Sequence, residues 1–370
     1  MKWCRTCCYP DTKPDLHFDE TGQCSACVNH AKRPTIEWAA REQELRALLA
    51  NAKPNRSGYN CIVPSSGGKD STFQVLKMIE MGAKPLVVTA ATCYMTEIGR
   101  KNIDNLARFA TTIQVTPNRA VRAKLNRLAL RMVGDVSWPE HCLIFTTPFK
   151  AAVDYDIPLV MYGENPQEAY GGPQGSDAAK TMTRRWVSEF GGFLGLRPAD
   201  FVGLDGITAQ DMQDYMPPTE GMIYGQGIEA HFLGQYLEWD SKMNFKVAVD
   251  NGMQFKNPAR ANWWGFENLD NALHGLHDFM MYRKYGYGRG AAQISVDVRN
   301  GETRLESARS WCTHNDGIFP AAYGGVHVHD ILAHIGVTMD EFKRIVDRFT
   351  DWSLFDRVGE DGARLKVPQC

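Results

Sequence analysis

One short segment limits the folds open to this chain more than any other: Ser65-Ser66-Gly67-Gly68-Lys69-Asp70-Ser71. It follows a short apolar run at 59–64 and precedes a helical pattern over 70–81, the strand–turn–helix context of a phosphate cradle. Successive glycines let backbone N–H groups approach anionic oxygens, and the helix N-terminus adds a favourable dipole. Ser65, Ser66 and Ser71 bring hydroxyls, Lys69 brings a point charge, and Asp70 is a candidate contact for Mg²⁺. The segment is not a Walker A loop, which needs glycine at position 63 and Ser or Thr at position 70. Val63 and Asp70 stand there.

The surrounding pattern repeats the unit. Residues 86–88 read as a second strand, 97–109 as a helix, 113–115 as a third strand, 118–133 as a helix and 159–162 as a later strand. Strands alternating with helices of this length imply an α/β fold with a doubly wound parallel sheet. Ligands of such sheets sit at the carboxyl ends of the strands, which directs attention to 65–71 and 163–167. Segment 163–177 is rich in Gly and Pro and has the composition of a mobile active-site loop. A helix is expected over 35–50, with Thr35 as its cap, and 51–58 has linker composition. Farther along, 226–240, 266–285 and 339–351 read as helices and 293–298 as a strand. Because Gly286-x-Gly288-x-Gly290 then precedes a strand, it is not read as a dinucleotide fingerprint. His327, His329 and His334 read as surface histidines at a helix start rather than as ligands.

The phosphate turn resembles the S-G-G-x-D-S signature of the PP-loop ATP pyrophosphatases. That resemblance implies a Rossmann-like PP-loop domain that splits ATP between its α and β phosphates. It also implies that the backbone around Thr89 and Ala90 meets adenine, and that Gly163, Glu164 and Asn165 form the turn after the later strand. Lys69, Asp70 and Glu164 are then the catalytic candidates. Glu164 and Glu168 are the candidates for contacting Mg²⁺ or orienting substrate, against the plainer reading of polar loop residues.

Five of ten cysteines lie in the first 27 residues. Cys4-x₂-Cys7 and Cys24-x₂-Cys27 have the spacing of a four-thiolate zinc site in which protein fills every position, a structural arrangement. Its task would be to fold a segment too short to bury a core. Cys8 is a spare thiol able to replace Cys7, and an Fe–S or redox role is the competing reading. The remaining cysteines read as buried structural thiols.

Composition narrows the partners. Lys and Arg total 41 against 43 Asp and Glu, a net charge of −2, so there is no global reason to expect nucleic acid. No apolar run approaches the ~18 residues of a membrane helix, and residues 1–30 lack a signal-peptide core. A cytoplasmic protein is the expectation, with 1–50 as a zinc-binding module and helix, 51–205 as the ATP-binding domain and 206–370 as a mainly helical substrate- or partner-binding region. No cysteine stands in the setting of a glutaminase nucleophile, so any ammonia is expected to be free or delivered by another protein.

Taken together, the chain resembles the N-acetyl sugar amidotransferase family, PP-loop enzymes of bacterial surface-polysaccharide biosynthesis. The likeness rests on the cysteine pairs, SSGGKDS at 65–71, TEIGRKNIDNL at 96–106, YGENPQE at 162–168, ENLDNALHGLHDFMMYRKYGYGR at 267–289 and DVRNGETR at 297–304. It implies conversion of a sugar acetamido group to an acetamidino group through an O-adenylated intermediate. The implied substrate is a UDP-linked diacetamido uronic acid for lipopolysaccharide O-antigen. Ammonia would come from a separate glutaminase similar to the imidazole glycerol phosphate synthase subunits. Such a substrate needs cations beyond the ATP loop, and Arg283, Lys284, Tyr285 and Arg289, with Arg299 and Arg304, are candidates. A solvated basic face is the plainer reading of the same residues. The rival function is a PP-loop tRNA-modifying enzyme of the thiolase type, its cysteines carrying sulfur. The basic stretch Arg119, Arg122, Lys124, Arg127 and Arg131 speaks for it.

Overall fold

A computed structural model describes residues 1–53, 56, 58–173, 180–359 and 362–367. The end of the 163–177 loop, parts of the 51–58 linker and Cys370 lie outside the described residues. Five parallel strands, β1 (Cys61–Pro64), β2 (Pro85–Ala90), β3 (Thr111–Val115), β4 (Leu159–Tyr162) and β5 (Glu229–Phe232), pair in the order β3-β2-β1-β4-β5. The chain winds outward from β1 through β2 to β3, then returns to place β4 on the other side of β1. The topological switch therefore lies between β1 and β4, and the loops after both strands meet there.

Alternation along the strands sorts the core into two layers. Val63, Val87, Leu159 and Met161 face a cluster with Leu45, Leu49, Phe73, Met78 and Trp239. Ile62, Leu86, Val88 and Val160 face the opposite cluster with Phe149, Ala152, Trp186 and Phe232. A sheet buried on both faces this way requires helices on both sides. Helices α1 (Ser25–Lys32), α2 (Trp38–Asn51), α3 (Lys69–Glu80), α4 (Glu97–Leu106), α5 (Arg119–Val133) and α6 (Trp138–Tyr155) precede β4. After it come α7 (Pro166–Ala169), α8 (Arg184–Phe190), α9 (Glu220–Gly225) and α10 (Ser241–Asp250), the last packing on α3. The sheet layer thus draws on residues beyond 205.

The C-terminal part is helical, with α11 (His274–Tyr285), α12 (Arg289–Arg299), α13 (Leu305–Asn315), α14 (Val328–His334) and α15 (Met339–Phe349), plus two small antiparallel hairpins. One core joins α11, α14 and α15 to the end of α5. Another joins the N-terminal cysteines, Tyr9 and Leu16 to Ala291, Ile294 and Ala308 of α12 and α13. The first 27 residues are thus built onto the C-terminal helices.

Four readings need correction. Residues 229–232, expected in a helix over 226–240, form β5, because β4 offers an unpaired edge to which a short buried run can pair. Residues 293–298, expected as a strand, lie within α12. Their β-branched alternation is overridden by tertiary partners: Gln293 Oε1 accepts from the Trp263 and Trp264 N–H groups, and Asp297 from both indoles. Gly288 consequently opens a helix, contrary to the premise used to set aside the dinucleotide fingerprint. That helix end is already taken by the protein's own Asp316, whose carboxylate accepts from Gly288 N–H at 2.6 Å. Thr35 does not cap α2; it closes a 3₁₀ turn, and the helix begins at Trp38.

Candidate active site

At the carboxyl ends of β1 and β4 lies a cavity of about 460 Å³ lined by residues 65–71, Gly163 and Glu164. The loop after β1 is tight. Ser65 Oγ accepts from Gly67 N–H at 3.1 Å, and Gly68 caps α3. Gly67 has φ +77°, and a Cβ there would stand 2.7 Å from the backbone of Asn102 and Ile103 in α4. Only glycine meets both conditions. The backbone therefore turns under α4 and presents the first amides of α3 to the cavity, the geometry that seats an anion.

Lys69 is 3% exposed, and its Nζ is held by Asp70 and, at 2.9 Å, by Glu267 Oε1. The rings of Trp264 and Phe266 lie 5.9 Å from the same ammonium. Burial opposes the charge, but Asp70, Glu267 and Glu164 outweigh it and push the Lys69 pKa up. Burial and the neighbouring charge of Asp70 push the Glu164 carboxyl up to about 8, partly offset by Lys69. Glu267 resists burial and stays ionised more readily than usual because of Lys69, with a 2.9 Å bond from Gln293. Three carboxylates thus crowd one lysine. Asn244 of α10 fixes Asp70 with a 2.9 Å hydrogen bond.

The far wall comes from α6 and from 266–289. His141, His274, His277 and Arg289 all line the cavity. His277 Nδ1 lies 2.8 Å from Asp135, and the His141 ring meets the His277 ring edge-on at 5.4 Å. Glu267, Asp135 and these histidines were missed by sequence reasoning. Three of them, Glu267, His274 and His277, lie inside the 267–289 segment, whose basic end carries the more conspicuous charge pattern.

Of the other candidates, Ala90 lines the cavity, and Thr89 is a buried residue of β2 outside its lining. Asn165 caps α7 by accepting from Gln167 N–H, and Glu168 accepts from Gln235; both border a smaller cavity that shares Glu164 and Tyr170 with the larger one. Arg289 reaches the main cavity, paired with Asp278 at 3.3 Å. Arg283, Lys284 and Tyr285 are not brought there. Arg283 is buried against Phe279, Trp352 and Phe355 and bonds Thr350, while Lys284 donates to the Val133 carbonyl. Tyr285 offers its carbonyl to Thr12. The basic stretch of α5 is largely engaged inside the protein. Arg122 is buried against Glu140, Lys124 and Arg127 bond residue Asp205, and Arg131 pairs with Glu341.

The thiols of Cys4, Cys7, Cys24 and Cys27 lie within 4.8 Å of one another, all buried. Sulfur separations of 3.5 Å (Cys24–Cys27), 3.6 Å (Cys7–Cys24) and 3.9 Å (Cys4–Cys27) match the ~3.8 Å edge of a tetrahedron with ~2.3 Å metal–sulfur bonds. The backbone amides of Thr6 and Cys24 point at the Cys4 sulfur, as they do toward a thiolate. This donor set fits one zinc ion with every position filled, and the cage is too small for a multi-iron cluster. Cys8 is outside it: its amide bonds Ser295, and its thiol faces Cys312. Near Lys69 the donors are hard carboxylate oxygens with negative charge in surplus. Asp70 and Glu164 suit Mg²⁺ of the kind held by one or two carboxylates and a phosphate ligand.

Residues 254–365 match the family described as "LPS biosynthesis protein WbpG-like, C-terminal domain". Among solved structures, the NMN synthetase of Francisella tularensis matches at 12% identity with a TM-score of 0.30, over 60% of this chain and 99% of that one. Comparison with curated proteins returns no match. Among the described residues no helix is long and apolar enough to cross a membrane.

Proposed function

We propose that the chain is an ATP-dependent C–N ligase that forms AMP and pyrophosphate while converting a sugar acetamido group to an acetamidino group. The substrate in this reading is a UDP-linked diacetamido uronic acid destined for O-antigen, and ammonia comes from a separate glutaminase. One observation carries it: the phosphate-type loop at 65–71 and the segment matching a lipopolysaccharide-biosynthesis family wall the same cavity.

An amide oxygen is too poor a leaving group for direct displacement by ammonia. In this reading the oxygen attacks the α-phosphorus of ATP and pyrophosphate leaves, its growing charge met by the α3 amides and Lys69. Asp70 and Glu164 would hold Mg²⁺, which supplies Lewis-acid stabilisation of phosphate oxygens. Ammonia then replaces AMP at the activated carbon. In this reading Arg289, which lines the cavity, would meet an anionic group of the sugar nucleotide. The zinc centre, seated in the core shared with α12 and α13, would hold the wall of the site rather than act in the chemistry.

The test supplies protein, ATP–Mg²⁺, ammonium and a panel of UDP-linked diacetamido sugars, read by phosphorus NMR and mass spectrometry. AMP, pyrophosphate and a sugar with one amide oxygen replaced by NH are the expected products. AMP formed only with tRNA and a sulfur donor would overturn the reading.

A further inference from the structure

The phosphate loop with Asp70 and Glu164 accounts for one side of the cavity; the opposite side holds a titratable group that adenylation does not use. His141 and His277 come from different elements, α6 and α11, and both line the cavity. Their rings stand edge-to-face at 5.4 Å over one buried carboxylate, Asp135, which is 2.8 Å from His277 Nδ1 and 4.0 Å from His141 Nδ1. Asp135 is itself pinned, accepting from Ser137 N–H at 2.7 Å just ahead of α6. His141 Nδ1 also faces the Gly192 carbonyl at 3.4 Å, so the neutral ring donates there and carries its lone pair on Nε2.

We propose that His141 is the proton acceptor for the nitrogen nucleophile in the C–N bond-forming half of the reaction, with His277 and Asp135 as its positioning residues. This rests on the amidotransferase reading given above. In that half-reaction the ammonia lone pair forms the C–N bond, and one N–H proton passes to His141 Nε2. The C–O bond to AMP breaks with its electron pair, and the proton returns to the sugar nitrogen, leaving an amidinium product. No oxidant or further reactant is needed.

The electrostatics agree. Burial and the neighbouring His277 push the His141 pKa down, against Asp135 and Glu140, whereas Asp135 pushes the His277 pKa up against burial. A pair whose basicities are driven apart is the pattern of an acid–base assignment. The other charges facing the pair are Glu140, neutralised by Arg122 of α5, and Asp278, paired with Arg289. His274, one turn earlier on α11, is already engaged with Asp270 at 3.3 Å and stands outside the pair.

The experiment separates the two half-reactions in the full-length protein. Sugar-dependent exchange of pyrophosphate into ATP reads adenylation, and amidine formation from a UDP-linked diacetamido uronic acid with ammonium chloride reads the second step, from pH 6 to 9. His141→Gln is expected to lose about 100-fold or more in amidine formation, the usual size of a lost proton acceptor, and less than tenfold in exchange. His277→Gln is expected to move the acidic limb of the amidine pH profile to higher pH, since His141 then faces Asp135 without a competing cation. Imidazole NMR titration of the folded protein should place His277 above His141, and the gap should close in Asp135→Asn. Amidine formation in His141→Gln within threefold of the parent overturns the assignment while adenylation stands. Equal loss of both steps with a raised KM for ATP makes His141 a nucleotide contact and overturns it too. Absence of exchange in the parent with every sugar removes the amidotransferase reading, and the assignment falls with it.

Discussion

The two walls of the cavity are specified in different ways. On one side, seven consecutive residues, 65–71, running from the end of β1 into the first turn of α3, carry the loop amides and the lysine that would meet the ATP phosphates, and a Cβ on Gly67 would collide with the backbone of α4. On the other side, Glu267, His277 and Arg289 are brought in by irregular chain, α11 and α12, held by partners as distant as Asp135 and Asp316. An anion cradle is a local device, because backbone amides of one turn suffice. A wall that selects and processes a second substrate must be assembled from afar, and its polar groups are fixed by tertiary bonds rather than by their neighbours in sequence.

Lys69 is where the walls meet, and breaking it should have the largest effect. Lys69→Met is expected to lower AMP formation at least about 10³-fold, the scale of losing a main electrostatic contact to the developing charge. Contrary to a purely catalytic role, it should also destabilise the protein by about 3–5 kcal/mol, because Asp70 and Glu267 are left without their cation. Adding Glu267→Gln should restore much of the stability and none of the activity. Recovery of both would mean that Lys69 serves only the fold. Next in size is Cys24→Ser. It should lose the metal by elemental analysis and cost at least about 3 kcal/mol of the ~10–16 kcal/mol that structural zinc supplies, whereas Cys8→Ser keeps the metal. Metal retained in Cys24→Ser would break the quartet.

The same division explains what was legible in the sequence. Strands β1 to β4, the phosphate turn and the cysteine quartet are local patterns: apolar runs, a Ser/Gly turn, paired C-x₂-C. Helix α6 was not foreseen because its Thr-Thr-Pro run ordinarily breaks a helix, yet Pro148 sits inside it with Trp138, Leu143 and Phe149 buried on either side. Strand β5 and helix α12 were misread because their partners, β4, Trp263, Trp264 and Asp316, lie far away in the chain. His277 and Asp135 are 142 residues apart. Spacing alone does not reveal such a pair.

Gly67→Ala sharpens the local half of the comparison. The methyl group would sit 2.7 Å from two backbone atoms of α4 at a φ of +77°. A cost of about 2–3 kcal/mol is expected from the strained backbone, with ATP affinity falling in parallel by calorimetry. Unchanged affinity would mean the loop amides do not hold the nucleotide. For the distant half, Asp135→Asn is expected to cost about 1–2 kcal/mol, the worth of a buried charged hydrogen bond. Its pH dependence follows from two opposite shifts. Asp135 is depressed, so its contribution is present above about pH 4 and lost as pH falls. His277 is raised, so its contribution is full below about pH 6.5 and lost as pH rises through its folded value. The stability gap between the two proteins should therefore be widest between about pH 4 and 6.5. Urea unfolding across pH 4–9 that shows a flat gap would separate the two residues energetically.

The smallest effect is expected at Arg131, and its smallness is informative. Arg131 belongs to the basic stretch of α5, and its side chain bonds Glu341 of α15 at 2.6 Å while 39% exposed. A partly exposed pair of this kind contributes about 0.5 kcal/mol or less. Arg131→Gln should shift the urea midpoint barely beyond error, and the shift should vanish in a Glu341→Gln background. A nucleic-acid-binding face behaves otherwise: each lost cation weakens RNA binding in every sequence and flattens its salt dependence by about one unit. Arg122, Lys124 and Arg127 on the same helix are already spent on Glu140, Asp205 and the Ile335 carbonyl. Replacing Arg131 and Arg127 together should therefore leave tRNA retention on a filter at the level of an unrelated acidic protein. A salt-dependent drop in tRNA affinity on those replacements would turn α5 from a structural brace into a binding surface, and would place the tRNA-modifying chemistry ahead of the sugar.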